Sequence, residues 1–273
     1  LVDAAGAALR PGILWNDGRA QSLLDRRIAQ RPTLMSELFD SSGQVMQLGC
    51  TLPVLAWLLE NEPETIARAT AILTAKDYLR LRLTGHLATD ETDSAIAPGS
   101  ALGRRFNAAL LDLLGAGETA RLLPSVLKST EIAGGLTAPA AEAVGLAPGT
   151  PVAVGAGDLP ACVLGAGAVD SGMACSVVGT TCLNGVVADE PLFEPRDMGI
   201  LFTVPGGLWI KTMVNVAGTI NLDWALRALC PDLMSGDAPY EALGRAAQAS
   251  PPGARGVGYV PYLSPIGIIA PRL

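Results

Sequence analysis

Apolar residues recur at helical spacing through the first half of this chain and in short β-type runs through the second. Residues 20 to 40 carry helix formers at mixed spacing, and Leu52 to Leu59, followed by Glu60, predicts a helix that packs Leu55, Leu58 and Leu59. Pro63 predicts the start of the next helix, since proline is tolerated in a first turn. TAILTAKDYLRLRLTG reads as a short strand, Ala71 to Thr74, running into a helix with Leu79 and Leu83 on one face and Gly85 as its stop. Asn107 reads as an N-cap for AALLDLLG, and Ala138 to Val144 as a helix ended by Gly145. The opening LVDAAGAALRPG reads as a hairpin that turns at Gly6.

From Pro151 the pattern becomes β-rich runs separated by glycine: PVAVGAGD as a buried-type strand, an alanine-rich helix over Leu159 to Ala168, then MACSVVGTT and NGVVA. GLWIKTMVNVAG reads as a strand pair, and TINLDWALRAL as a helix with Leu222, Ala225, Leu226 and Leu229 on one stripe. Strands alternating with helices, with a break near residue 167, predict a two-domain α/β protein with mixed sheets.

Composition narrows what such a protein does. A chain of 273 residues with 49% hydrophobic and 16% charged residues buries a large core, and its length suits two modest domains. A formal charge of −7 without a basic run argues against a nucleic-acid partner. The five cysteines include no CxxC pair and are odd in number, so neither a zinc ribbon nor a disulfide framework is expected, and a reducing, cytoplasmic setting is. The single His86, in LTGHLATD, reads as a turn residue rather than a metal ligand. The uncharged stretch Ser171 to Ala188 is studded with Gly, Ser, Thr and Asn, which suits strands rather than a membrane span. The chain opens mid-pattern, without the basic head and apolar region of a secretory signal, and reads as an internal start.

The candidate chemistry lies in three places. PVAVGAGD sets Asp158 at the carboxyl end of a strand and the opening of a helix, where α/β proteins bind ligands, with small residues at 155 to 157 that permit close approach. A carboxylate there serves as a general base, positions a metal-nucleotide complex, or caps the helix; spacing alone does not choose. ACSVVGTT brings Gly179, Thr180 and Thr181 to the end of a strand, as a phosphate loop or as a plain hairpin turn. VNVAGTINLDW sets Gly218 at a strand-to-helix junction whose free N–H groups favour anions.

Taken together and in order, RPGILWNDGRA, AKDYLRLRLTGHLATDETDSA, GTPVAVGAGDLPACVLGAG, SVVGTT, VNVAGTINLDWALRAL and YVPYLSP resemble the FGGY carbohydrate kinases, a branch of the actin-like ATPase (ribonuclease H-like) fold, from about Ala8 to Pro265. The resemblance implies residues 1–167 as the remainder of a sugar-binding N-terminal domain and 168–273 as the first part of a nucleotide-binding domain. It implies Asp158 as the base that deprotonates the attacking sugar hydroxyl, and as an indirect ligand, through water, of the Mg²⁺ that accompanies ATP. It also implies that Gly179, Thr180, Thr181, Gly218 and Asn221 lie at the nucleotide, and that Trp15 packs on the polyol, where the alternative is a core aromatic.

WNDGR and KDYLRLRLTG look most like xylulose kinases, so a pentulose is the expected substrate; erythritol or glycerol, or sugar binding without turnover, are the alternatives. Whether the chain forms a homodimer is left open. The family's Asp-x-Gly-Thr turn does not precede Leu1, its glycine-rich adenosine segment does not appear before Leu273, Leu159 stands where relatives often have Asn or Gln, and IGII replaces a polar Gly-Glu-Arg. The chain therefore reads as part of a longer kinase.

Overall fold

The computed structural model describes residues 1–260 other than 16, 47, 48, 97, 180, 181, 197 and 216. It divides into two compact units, one made of Leu1–Cys175 with Val186–Thr212, the other of Ser176–Gly185 with the chain from Met213 onward.

The first unit opens with helices α1 (Gln21–Gln30), α2 (Leu34–Ser42), α3 (Thr51–Asn61), α4 (Pro63–Arg68) and α5 (Ala75–Thr84). Short strands β1 (Thr89–Asp90), β2 (Gly99–Ser100) and β3 (Arg105–Phe106) follow, then α6 (Ala109–Leu113), β4 (Val126–Leu127), β5 (Ile132–Gly135), α7 (Ala138–Val144), β6 (Pro151–Ala153) and α8 (Asp158–Gly165). Its core is a leucine cluster in which Leu23, Leu34, Leu38, Leu52, Leu55, Leu58, Leu110 and Leu111 interlock α1, α2, α3 and α6. Each such side chain contributes about 1.5–3 kcal/mol by leaving water. The predicted glycine stops hold: Gly85 and Gly145 end α5 and α7 with φ of 77° and 70°, a conformation that side chains beyond glycine rarely adopt. Pro63 opens α4 as expected.

Other expectations are corrected. Asn107 does not cap α6, whose N-cap is Ala108; its side-chain amide instead donates to Ser41 O at 3.2 Å. Leu79 is 60% exposed, and the buried face of α5 is polar: Asp77, Arg80 and Thr84. The PVAVGAGD strand is shorter and less buried than its composition suggests, because β6 pairs on one side only, antiparallel to β5, leaving Pro151 and Ala153 exposed. The opening hairpin is reduced to isolated bridges from Val2 to Ala8 and from Val2 to Ala71.

Strands β7 (Ala174–Val178), β8 (Cys182–Ala188), β9 (Ile200–Val204) and β10 (Leu208–Asn215) form a four-stranded sheet in the order β7-β8-β10-β9. GLWIKTMVN is thus one strand, not a pair; its antiparallel partner is ILFTV, with Ile210 opposite Phe202. Within the second unit, α9 (Ile220–Leu229), α10 (Pro231–Met234) and α11 (Pro239–Gln248) pack in sequence. Of the predicted stripe on α9 only Leu226 is buried, while Leu222 and Leu229 are exposed. Among the described residues no helix is long and apolar enough to cross a membrane.

Candidate active site

Asp158 is the first residue of α8, and the residue that precedes the helix is Gly157. The carboxylate therefore lies one position inside the helix rather than at the N-cap, accepts a hydrogen bond from Leu159 N at 2.7 Å through Oδ1, and is exposed. The helix dipole favours a negative charge here.

Before it runs Val154-Gly155-Ala156-Gly157, and three of these four residues are tied to one polar cluster. Arg80 donates to Val154 O at 2.9 Å, Gly155 N donates to Ser129 O at 2.9 Å, and Gly157 N donates to Thr92 Oγ1 at 2.8 Å. Thr92 Oγ1 in turn donates to Asp90 Oδ2 at 2.6 Å, an oxygen that also accepts from Ser129 Oγ at 2.7 Å and Thr92 N at 2.8 Å. Lys76 closes the cluster, with Nζ 2.6 Å from Asp77, 2.8 Å from Asp90 and 3.2 Å from Asp93. Arg80 pairs with Asp77 at 2.9 Å and also donates to Ala88 O.

The electrostatics follow from two cations among three carboxylates. Burial works against the charge of Lys76, yet Asp93, Asp77 and Asp90 outweigh it and raise its pKa above the ordinary value. Burial also opposes ionisation of Asp90, but Lys76 and the hydrogen bonds from Thr92 and Ser129 prevail and lower its pKa. At Asp93 burial wins over Lys76 and, helped by the charge of Asp90, raises the pKa. The two neighbouring carboxylates thus shift in opposite directions. On acidification Asp93 takes up its proton before Asp90, an order that carboxyl ¹³C shifts in a pH titration would reveal. Asp90, with its lowered folded pKa, stabilises the fold above its ordinary value of 3.8, and that contribution fades as pH falls through the folded value.

Asp93 also lines a cleft of about 540 Å³, together with Trp15, Arg10, Thr74, Asp77 and Tyr78. Trp15 is 65% exposed and is not among the buried core residues described. Its backbone is pressed by Gly49: a methyl group built there would lie 1.5 Å from Trp15 O. Gly49→Ala is expected to displace the tryptophan segment, cost about 1–3 kcal/mol as an overpacking change, and shift tryptophan emission. Asp93 Oδ1 similarly stands 2.8 Å from a methyl group built on Gly157, so the cleft and the Asp158 segment meet at these two residues.

In the second unit, Thr219 N donates to Gly179 O at 2.8 Å, which joins two of the sequence-predicted nucleotide elements. Thr180 and Thr181 lie outside the described residues. Asn221 is occupied by its own turn: its amide donates to Ala217 O and, at 3.0 Å, to Gly218 O, while its Oδ1 accepts from Tyr259 OH at 2.7 Å. Tyr259 stacks on Trp224, with centroids 5.3 Å apart.

What sequence reasoning missed is the Lys76, Asp77, Arg80, Asp90, Thr92 and Asp93 cluster. Its signal was available as a charged triplet at i, i+1 and i+4 on a helix, followed by the turn-forming run TDETD.

The chain thus carries, on an α/β fold, an acidic residue on the first turn of a helix after a glycine-rich strand end, beside a cleft with an exposed tryptophan. The chain belongs to the FGGY family of carbohydrate kinases: the family's N-terminal domain matches residues 1–165. It is 33% identical over 270 residues to a xylulose kinase of Escherichia coli (strain K12), covering 97% of this chain and 52% of the relative. It is 32% identical over 267 residues to an erythritol kinase of Brucella abortus (strain 2308), covering 93% and 50%. The crystal structure of xylulose kinase from Rhodospirillum rubrum superposes with a TM-score of 0.82 at 25% identity, over 96% of this chain and 52% of that one. The chain thus spans about half the length of the curated relatives it matches, and its fold is that of the actin-like sugar kinases.

Proposed function

We propose that the complete protein is an ATP-dependent kinase that phosphorylates a pentulose-type sugar at a terminal hydroxyl, with xylulose the first candidate. The observation that carries this reading is Asp158, an exposed carboxylate on a clamped backbone next to the Trp15 cleft. In this reading the sugar packs on Trp15, Asp158 accepts the proton of its hydroxyl, the hydroxyl oxygen bonds to the γ-phosphorus of ATP, and the bond to ADP breaks. Residues 1–167 supply the sugar side and 168–273 begin the nucleotide side.

Gly179, Thr180, Thr181 and Gly218 supply phosphate contacts, a role supported by the joined Gly179 and Thr219 turns, and Asn221 shapes the Gly218 turn through its own hydrogen bond. Among the described residues no three His, Cys, Asp or Glu side chains converge to hold an ion. A Mg²⁺ would come with the nucleotide, neutralising the charge of its phosphates, with Asp158 reaching it through water.

The test is coupled ADP release by the complete protein across D-xylulose, L-xylulose, ribulose, erythritol and glycerol. Erythritol earns its place because the erythritol kinase relative is nearly as similar as the xylulose kinase. Turnover with one pentulose is expected. Silence across the panel, with sugar binding intact by calorimetry, would replace this reading with a non-catalytic sugar-binding one.

A further inference from the structure

The segment that carries Asp158 cannot hold its own shape. Gly155 and Gly157 have no side chains to restrict them, Gly155 sits at φ 81°, and Ala156 adds only a methyl group. A carboxylate at the end of such a segment is placed only as well as its surroundings place the backbone. The last external bond before Asp158 is Gly157 N to Thr92 Oγ1.

We propose that Thr92 is the positioning residue for Asp158. The inference rests on Asp158 being the base. The direction of each hydrogen bond is forced. Gly157 N–H can only donate and the ionised Asp90 carboxylate can only accept, so the single hydroxyl proton of Thr92 goes to Asp90 and its lone pair receives Gly157. Asp90 is held in turn by Ser129 Oγ and by Lys76. The chain of contacts from Lys76 through Asp90 and Thr92 to Gly157 ends one residue from the reacting carboxylate. Thr92 itself touches no substrate; it acts by fixing the backbone from which the carboxylate projects.

A valine at 92 keeps the shape and removes the hydroxyl, leaving the buried Gly157 N–H without its acceptor. Misplacing a catalytic group by an ångström costs on the order of 10²-fold in rate. In the complete protein, assayed with the sugar found in the panel well below the melting temperature, Thr92→Val should lower kcat by roughly 10–100-fold with KM for sugar and ATP nearly unmoved. Thr92→Ser should recover most of the loss.

A purely structural role would lower the melting temperature of the valine variant and leave kcat intact, and that result overturns the proposal. So does a valine variant whose KM rises while kcat holds, or a serine variant no better than valine. Should the valine variant not fold, Ser129→Ala loosens Asp90 from its other side and should reduce kcat by about threefold or more with KM unmoved; an unchanged kcat there also overturns it. The base assignment fails separately, on an Asp158→Asn enzyme that keeps wild-type turnover. Loss of turnover in that variant beside a fully active Thr92→Val would remove only the positioning role.

Discussion

Asp158→Asn in the complete protein is expected to lower kcat by about 10²–10⁴-fold, the usual contribution of a positioned general base. The substitution keeps the size of the side chain and an oxygen able to accept from Leu159 N, so the start of α8 should stand as it does now. What goes is the capacity to take a proton. The side chain is exposed and engages only that one local N–H among the described residues, so melting should shift little, within the range of ordinary surface changes. Sugar affinity measured by calorimetry should also change little, because the cleft around Trp15 is untouched.

The loose transition state of phosphoryl transfer sets the ceiling on this effect. Bond formation to the nucleophile lags behind bond breaking, so the base orients the hydroxyl as much as it activates it. Residual turnover at the lower end of the range is therefore compatible with the role, whereas turnover within threefold of wild type is not. Asp158→Glu supplies a second reading of the same point: a carboxylate carried one bond further from a fixed backbone should restore only a part of the rate, if placement matters as much as basicity.

The site was legible where the physics is local and hidden where it is not. Asp158 could be located because a strand, a glycine-rich end and a helix start are each written in a few adjacent residues, and the structure puts it on the first turn of α8. The glycine stops at Gly85 and Gly145 were legible for the same reason. α5 was misread because its burial is decided by distant partners: Leu79 faces outward while Asp77 and Arg80 are buried, since Lys76 pairs with Asp90 and Asp93 on other elements as well as with Asp77, and Arg80 donates to Val154 O. No periodicity rule anticipates a buried polar face, as it presumes that the apolar face turns inward. Asn107 failed likewise, its amide drawn to Ser41 O from α2 rather than to its own helix. At Asn221 the sequence marked a helix start, but the hydrogen bond from Tyr259, 38 residues on, is a long-range contact that no local pattern contains.

Lys76→Met is expected to destabilise the polar cluster strongly. Methionine preserves an unbranched apolar stem, so the loss isolates the charge. Removing one partner of a buried ion pair costs about 3–5 kcal/mol, since the other is left charged and unpaired. Asp90 and Asp77 are 0% and 1% exposed and would both lose a cation, while Lys76 itself is 24% exposed, which places the expected cost toward the lower end.

The pH dependence has a definite sign. In wild type the raised pKa of Lys76 contributes stability fully present below its ordinary value of 10.5 and lost as pH rises through the folded value. In the variant the cation that offsets the burial of Asp90 and Asp93 is gone and only hydrogen bonds from Thr92, Ser129 and Thr74 oppose it, so both folded pKa values move up from their wild-type positions. The folded variant then holds more protons than the folded wild type as pH rises past 3.8. The deficit should grow as pH climbs from there and shrink on acidification. Adding Asp93→Asn to the methionine variant removes one of the stranded charges and should return part of the stability, a coupling of roughly 0.5–3 kcal/mol in a double-mutant cycle. Urea melts at pH 4.5 and 7.5 test both statements. A methionine variant as stable as wild type at the higher pH would mean that the three carboxylates do not depend on Lys76 to remain charged in the fold, and the clamp on the Asp158 segment would then rest on Thr92, Ser129 and Arg80 without it.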